Sequence, residues 1–280
     1  MERAVLMGGL LLEALVLLWI AKRLWGVVLK RDVNQELTTH DNPAVAITIA
    51  GYLLGVLIAL SGVMASPSRG LVADLLGFGA FGLAGVVILF LSVFGAPLVG
   101  GVSLRRDIVE HRNVGSALVL FATFIATGFI FAGAVRGEGV AGPMAWVTLL
   151  VFQAVGQVLL IATAYLFGSI ARFQLQTQIA TGHNLAAAVG FAGALVAIGI
   201  VLNRALTGSF VGWTVSLGSV LLYSLPLVLI WPVRYLVVNG MLLGFRNLDR
   251  EIAVDRNVGV GVVEAAAYIG IALLAVNAAH

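Results

Sequence analysis

Two acidic residues stand where an acid is expensive. Glu13 and Glu264 each lie inside a long apolar run. Glu264 follows Asn257 by seven residues and Glu13 precedes Lys22 by nine. At ~1.5 Å per helical residue, those offsets place them about 10 and about 13 Å deep. A charged carboxylate at such depth is costly, so each must be protonated, paired or facing water. Gln153 and Gln157, at i and i+4, form a polar edge on another apolar run that could meet them. Together the four make a candidate intramembrane site for a proton or cation. Neutral carboxyls bonded between helices, or contacts with another subunit, are the structural alternative.

A second set of polar residues recurs along the chain. Asn42, Asn113, Asn184 and Asn257 are spaced by 71, 71 and 73 residues. Six residues before each lies Glu36, Asp107, Gln178 or Glu251, and five before lies Leu37, Ile108, Ile179 or Ile252. Asparagine at a helix start accepts from the free N–H groups of the first turn, and Pro43 suits the first helical position. The four are therefore helix caps. Lining a vestibule as a ring of amides is the functional alternative, and it requires the segments to surround one axis. Beside them, Asp107 with Arg106 and Arg112, and Glu251 with Arg250 and Arg256, read as interfacial ion pairs. Exposed pairs of this kind contribute about 0–1 kcal/mol. A docking surface for a partner or anionic lipid is the alternative. His40, His111 and His183 lie one or two residues before their asparagines, and Asp255 takes the equivalent place in the fourth copy. Brought together, three His and one Asp would suit zinc or a similar ion. They have no local H-x-x-x-H spacing and otherwise read as solvated loop residues, so no metal or cofactor is assigned.

Motifs of soluble catalysis are absent: there is no G-x-S-x-G, H-E-x-x-H or Walker sequence. GFGAFGLAG, from Gly77, lacks a preceding strand and a lysine, and suits close helix packing rather than phosphate. With no cysteine, thiolate chemistry and disulfides are excluded. Enzymatic activity is not expected.

These residues need elements to hold them. Of the 280 residues, 61% are hydrophobic and 10% charged, and mean hydropathy is +1.08. A soluble domain carries about 25% charged residues. A bilayer core takes roughly 20 apolar residues to cross. Eight segments qualify, near 4–22, 44–65, 73–102, 114–135, 144–170, 185–203, 211–235 and 258–278. The expected fold is all-α, a polytopic membrane protein forming one transmembrane domain over 1–280, with the first run retained as a span. The asparagine spacing divides it into four two-helix hairpins, about 1–70, 71–142, 143–208 and 209–280. The second and fourth copies share RDIVEHRNVG-like leads. The first and third share N-x-A-x-A-x-x-x-A-G-x-L. A hairpin duplicated twice accounts for this nesting. Pro232 is expected to kink or end the seventh span, leaving 235–245 along the interface with Arg234 snorkelling to headgroups. Residues 24–29 are read the same way. Loops after the odd spans hold twelve Lys and Arg; the other face holds Arg3, Arg69, Arg136 and Arg204. That bias puts those loops in the cytoplasm and both termini outside. The net charge of +3 follows from this placement and implies no nucleic-acid partner.

The stretch NPAVAITIAGYLLGVLIALSG, Asn42 to Gly62, resembles the bacterial membrane family called domain-of-unknown-function family 350, the YjfL-like proteins. Its typical unit has a short acidic lead, an Asn before small residues, then A-G-Y-L-L-G in a membrane helix. NLAAAVGFAGAL in the third copy resembles it in part. In the second and fourth copies glycine replaces the first alanine and the A-G-Y is missing. The resemblance implies a bacterial inner-membrane protein associated with envelope-stress or other membrane assemblies, and it carries over no catalytic residue. The expected role is a structural or accessory subunit, in contact with lipid and with other membrane subunits or copies of itself. A channel or secondary transporter for a proton, cation or small solute, using the intramembrane carboxylates, is the alternative.

Overall fold

The computed structural model describes residues 2–137 and 140–278, with side chains from Ala4 onward; the Arg3 side chain counted above lies outside them. Every regular element described is helical. Eight helices are long and apolar enough to cross a membrane: Ala4–Leu29, Pro43–Met64, Leu71–Gly100, Val114–Val135, Pro143–Ile170, Leu185–Leu206, Trp213–Leu242 and Val258–Ala278. The chain is thus an all-α polytopic membrane protein.

Each even span is preceded by a short helical turn: Val33–Thr38, Leu104–Glu110, Leu175–Ala180 or Leu248–Ala253. These turns lie at one end of the bundle, here called the short-helix end. The chain leaves each through a left-handed residue, Asp41, Arg112, His183 or Arg256, with φ of 46°, 50°, 50° and 51°. The following asparagine N–H then bonds the carbonyl six residues back. At the opposite end the third and seventh spans start after Gly70 and Gly212, whose φ of 106° and 108° only glycine adopts easily.

The even spans carry the core. The second span packs along the fourth, the fourth along the sixth and the sixth along the eighth. Among the described residues the eighth does not pack along the second, so these four helices form an open row. Small residues let the backbones meet. A Cβ on Gly55 or Gly128 would strike the other helix's backbone, and one on Gly193 would strike Ala265. In lipid, packing of this kind drives association where the hydrophobic effect cannot. The odd spans lean on the row: the third on the second, the fifth on the fourth, the seventh on the sixth.

Two sequence expectations are corrected. Residues 24–29 do not lie along the interface but continue the first helix to Leu29. Trp25 is fully buried, stacked on Tyr52 at 5.1 Å and edge-on to Phe124 at 5.5 Å, and this aromatic cluster holds the helix against the core. Nor does the seventh span end near Pro232. It changes gauge instead: an α-helix to Tyr223, a tight 3₁₀ stretch Leu225–Leu229, then wide π-type turns from Val233 to Leu242. Pro226 and Pro232 remove N–H donors, and the ladder re-forms around them with shorter and longer loops.

Candidate functional site

The wide turns after Pro232 point Arg234 inward. It is 4% exposed, and does not snorkel as its position beside a span end suggests. One guanidinium nitrogen is paired with Glu264 of the eighth span and another with Asp249 of the last short helix. The Tyr268 hydroxyl, one turn beyond Glu264, donates to the same carboxylate at 3.1 Å. Phe167 and Phe173 cover the guanidinium at 5.7 and 6.0 Å from their ring centres. Space for the carboxylate comes from Gly190 on the sixth span, where any Cβ would collide with Glu264 Oε2. Glu264 and Tyr268 are 1% and 2% exposed. The site is a buried ion pair, with Asp249 leading toward the surface at 28% side-chain exposure. Each carboxylate oxygen or guanidinium left alone here would be costly, so the group stands or falls together.

The four candidate intramembrane residues are not brought together. No hydrogen bond or ion pair joins any two of them among the described residues. Glu13 faces the third span near Gly79, and its Oε2 is buried without a partner. Gln157 donates to Thr127 at 3.3 Å, while the Gln153 amide is buried with no partner at either atom. Only Glu264 lies in a polar cluster. Sequence reasoning left out three members of that cluster. Tyr268 was detectable, since i and i+4 share a helix face. Arg234 and Asp249 were not, because their approach depends on the π-type turns.

The asparagines do two things at once. Through the side-chain oxygen, Asn42 accepts from Ala44 and Val45, Asn113 from Ser116, Asn184 from Ala187 and Asn257 from Val260. Through the side-chain nitrogen, three of them reach across to the next short helix. Asn42 donates to the Ile108 carbonyl at 3.3 Å, Asn113 to Ile179 at 2.8 Å and Asn184 to Ile252 at 2.8 Å. They form a relay along the row, not a ring of amides around an axis.

Of the expected ion pairs, Arg106 with Asp107 forms, and the other three do not form among the described residues. Asp107 is fully buried, bonded by Arg106 at 2.7 Å and by the Ser103 N–H at 2.7 Å. Arg112 and Arg256 join no ion pair among the described residues; each is the left-handed residue before its asparagine. Glu251 accepts from Asn257 at 3.1 Å, and Arg250 approaches Asp255 at 3.7 Å instead. Glu36 accepts from Arg31, His40 and Asn42. Burial works to raise its carboxyl, but those three hydrogen bonds outweigh burial and hold it below the usual carboxylate range. The rings of His111 and His183 lie 6.4 Å apart, while His40 sits on Glu36. Among the described residues no three His, Cys, Asp or Glu side chains are grouped to hold a metal. A cleft of about 480 Å³ opens at the other end, lined by Ser68, Arg69, Asp74 and Phe81 among others, and touches neither glutamate.

Comparison with known proteins fits this architecture. The chain is 22% identical over 274 residues to a UPF0719 transmembrane protein of Aquifex aeolicus (strain VF5), covering 96% of this chain and 98% of that one. No solved structure matches. The family described as Domain of Unknown Function (DUF350) matches residues 3–135 and 142–279, each stretch holding four of the eight spans. With nearly its whole length matched, the chain belongs to that family.

Proposed function

We propose that this protein is a structural subunit of a bacterial inner-membrane assembly, with no catalytic activity of its own, acting by lateral packing rather than by moving a solute. The observation that carries this reading is the open row of even spans. A row encloses no central axis, and its end helices keep packing faces of the kind used inside it. The ionisable groups agree. Glu264 is neutralised in place by Arg234, and Glu13 lies apart from it against the third span. The basic loops support an orientation with the short-helix end in the cytoplasm and both termini outside. The recurring asparagines and the two family matches support descent from a duplicated hairpin. The alternative, proton or cation passage, has one observation in its favour: the buried Arg234–Glu264–Tyr268 cluster.

Liposome flux separates the two. Purified protein is reconstituted with an internal pH dye, and with potassium-loaded vesicles, under an imposed potential. Flux equal to that of empty vesicles is the expected result. Flux above that level which Glu264→Gln abolishes would replace the structural reading with transport.

A further inference from the structure

The three internal junctions of the row share one register. Counted from each helix's own asparagine, position +2 of one helix meets +4 of the next: Gly115 meets Ala188, and Ala186 meets Gly261. Position +9 meets +8: Gly51 meets Phe121, and Gly193 meets Ala265. Position +13 meets +15: Gly55 meets Gly128, and Ala126 meets Gly199. Position +20 meets +19: Gly62 meets Ala132, and Gly133 meets Asn203. The asparagine amide completes each junction by donating to the carbonyl five residues before the next asparagine.

The eighth span carries the donor half of such a junction, and no described residue packs on it. Gly259, Ala266, Gly270 and Asn277 hold positions +2, +9, +13 and +20, and all four are exposed. A Cβ on Gly270 would meet nothing within 4 Å. An open groove of about 630 Å³ runs along this face, walled by Val237 and Leu242 of the seventh span. Asn257 is exposed, whereas Asn42, Asn113 and Asn184 are 0–1% exposed. Both Asn42 and Asn184 spend one N–H on the residue six back and the other on the next copy's carbonyl. Asn257 makes only the first of these bonds, to Glu251, and an amide has two N–H donors.

The second span carries the matching acceptor half, also uncovered. Ala46, Ala50, Leu57 and Ser61 hold +4, +8, +15 and +19; the last three are exposed and Ala46 is half-buried. Leu37, five before Asn42, has the carbonyl that no asparagine among the described residues reaches. Placed in the shared register, Gly259 meets Ala46, Ala266 meets Ala50, Gly270 meets Leu57, and Asn277 meets Ser61. Small residues face small residues, glycine faces the one bulky side chain, and polar faces polar. Among the described residues the first span packs on no even helix in the way the third, fifth and seventh lean on the one before them. Its Leu11, Leu12, Leu15 and Trp19 are 58–66% exposed.

We propose that the occupant of these faces is a second copy of this chain: the eighth span of one copy packs along the second span of the next, with Asn257 donating to the next copy's Leu37 carbonyl. This deepens the structural reading and rests on it. Contact of this kind is head-to-tail, so it builds a closed ring or an open filament within the membrane.

Native cysteines are absent, so single introduced thiols report the contact. Gly259→Cys and Ala46→Cys are the pair of choice. The equivalent internal contact puts a Cβ at Gly115 3.1 Å from the Ala188 Cβ. A disulfide spans Cβ atoms about 3.5–4.5 Å apart. Oxidised in native membranes, the double variant is expected to give dimers and a ladder of higher species. Neither single variant should cross-link, and the two singles co-expressed should give dimer alone. Gly270→Trp added to the double variant should abolish the ladder while leaving the detergent elution profile of one chain unchanged. Cross-linking of either single variant as strong as the double's, or none in any combination, overturns the proposal. Vesicle flux tells the two readings apart. A protein that cross-links in this pattern and also conducts through Glu264 sinks the structural reading alone. One that is silent and never cross-links sinks the docking alone.

Discussion

The junction between the second and fourth spans and the bare face of the eighth span are built from the same kinds of residue. Inside the row, Gly55 and Gly128 bring two backbones into contact and the Asn42 amide is 1% exposed. On the eighth span, Gly270 faces open space and Asn257 is exposed. The difference teaches that a small residue in a membrane helix has no fixed worth. It is indispensable where a second backbone rests on it and neutral where none does. Substitutions matched across the two regions test this directly.

Gly55→Leu carries the largest effect. The new side chain has backbone of the fourth span in its way, so the neighbour cannot yield by a rotamer change. The cost should exceed the ~1–3 kcal/mol of ordinary overpacking, and the protein should aggregate on extraction into mild detergent. Gly270→Leu should elute as wild type. Equal aggregation of both would show that the eighth span's face is filled within one chain.

The buried ion pair comes next. Removing one partner of such a pair costs about 3–5 kcal/mol. Arg234→Gln strands Glu264 among Tyr268, Phe167 and Gly190 and should cost that much in denaturant titration of the detergent-solubilised protein. Replacing Arg234 and Glu264 together, by Met and Leu, should recover most of the loss. A double variant as unstable as the single would locate the cost in the π-type turns instead of the charges.

Those turns also mark where sequence reasoning stopped. Eight spans are legible because about 20 apolar residues per crossing is a constraint of the bilayer itself. The asparagine caps are legible because a cap depends on its own first turn. Depth estimates for Glu13 and Glu264 were of similar size, but depth along a helix says nothing of which helix lies beside it. The order of the row is set by which glycines meet which backbones, a pairing between residues some 70 positions apart. Arg234 was placed at the headgroups by its distance from Pro232, and only the change of helical gauge turns it inward. Trp25 has a different cause: flanking charges at Lys22, Arg23, Lys30 and Arg31 read as a span end, while the α-helix continues unchanged to Leu29.

The asparagines give a graded test. Asn184→Ala removes a cap and leaves the Ile252 carbonyl without its amide, a loss of about 1–3 kcal/mol. Asn257→Ala removes an exposed cap and an exposed bond to Glu251 but strands no buried carbonyl, a loss of about 1 kcal/mol. Thermal denaturation of the detergent-solubilised single chain should rank them in that order. In membranes the ranking should narrow, since Asn257 then has a carbonyl of the neighbouring copy to lose.

Smaller still is the response to acid at the first short helix. The Glu36 carboxyl lies below its ordinary value in the folded chain, because the bonds from Arg31, His40 and Asn42 prevail over burial. A depressed folded pKa gives stability that is present above the unfolded value, near 4.3, and is lost as pH falls through the folded value. Glu36→Gln, which copies Gln178 of the third repeat, should lower stability at pH 7 and flatten its fall as pH drops below about 5. A variant that keeps the wild-type acid slope would assign that slope to another carboxylate.

The left-handed residues supply the finest comparison, because the same backbone is imposed at inner and outer positions. A non-glycine residue pays roughly 1–2 kcal/mol for this conformation, while glycine loses about 0.5–1 kcal/mol through its freer unfolded chain. His183→Gly and Arg256→Gly should each therefore stabilise by about 0.5–1 kcal/mol if the side chain does nothing. His183, itself exposed, has its ring 6.4 Å from that of His111 at an inner junction, whereas Arg256 stands beside Asn257, whose amide reaches no next short helix. Equal gains at both sites would make the left-handed turn a purely backbone device, repeated without regard to position in the row. A gain at Arg256 with a loss at His183 would show that the imidazole pair supports the inner junction, and that the outer junction still lacks the partner that would give its own side chain something to do.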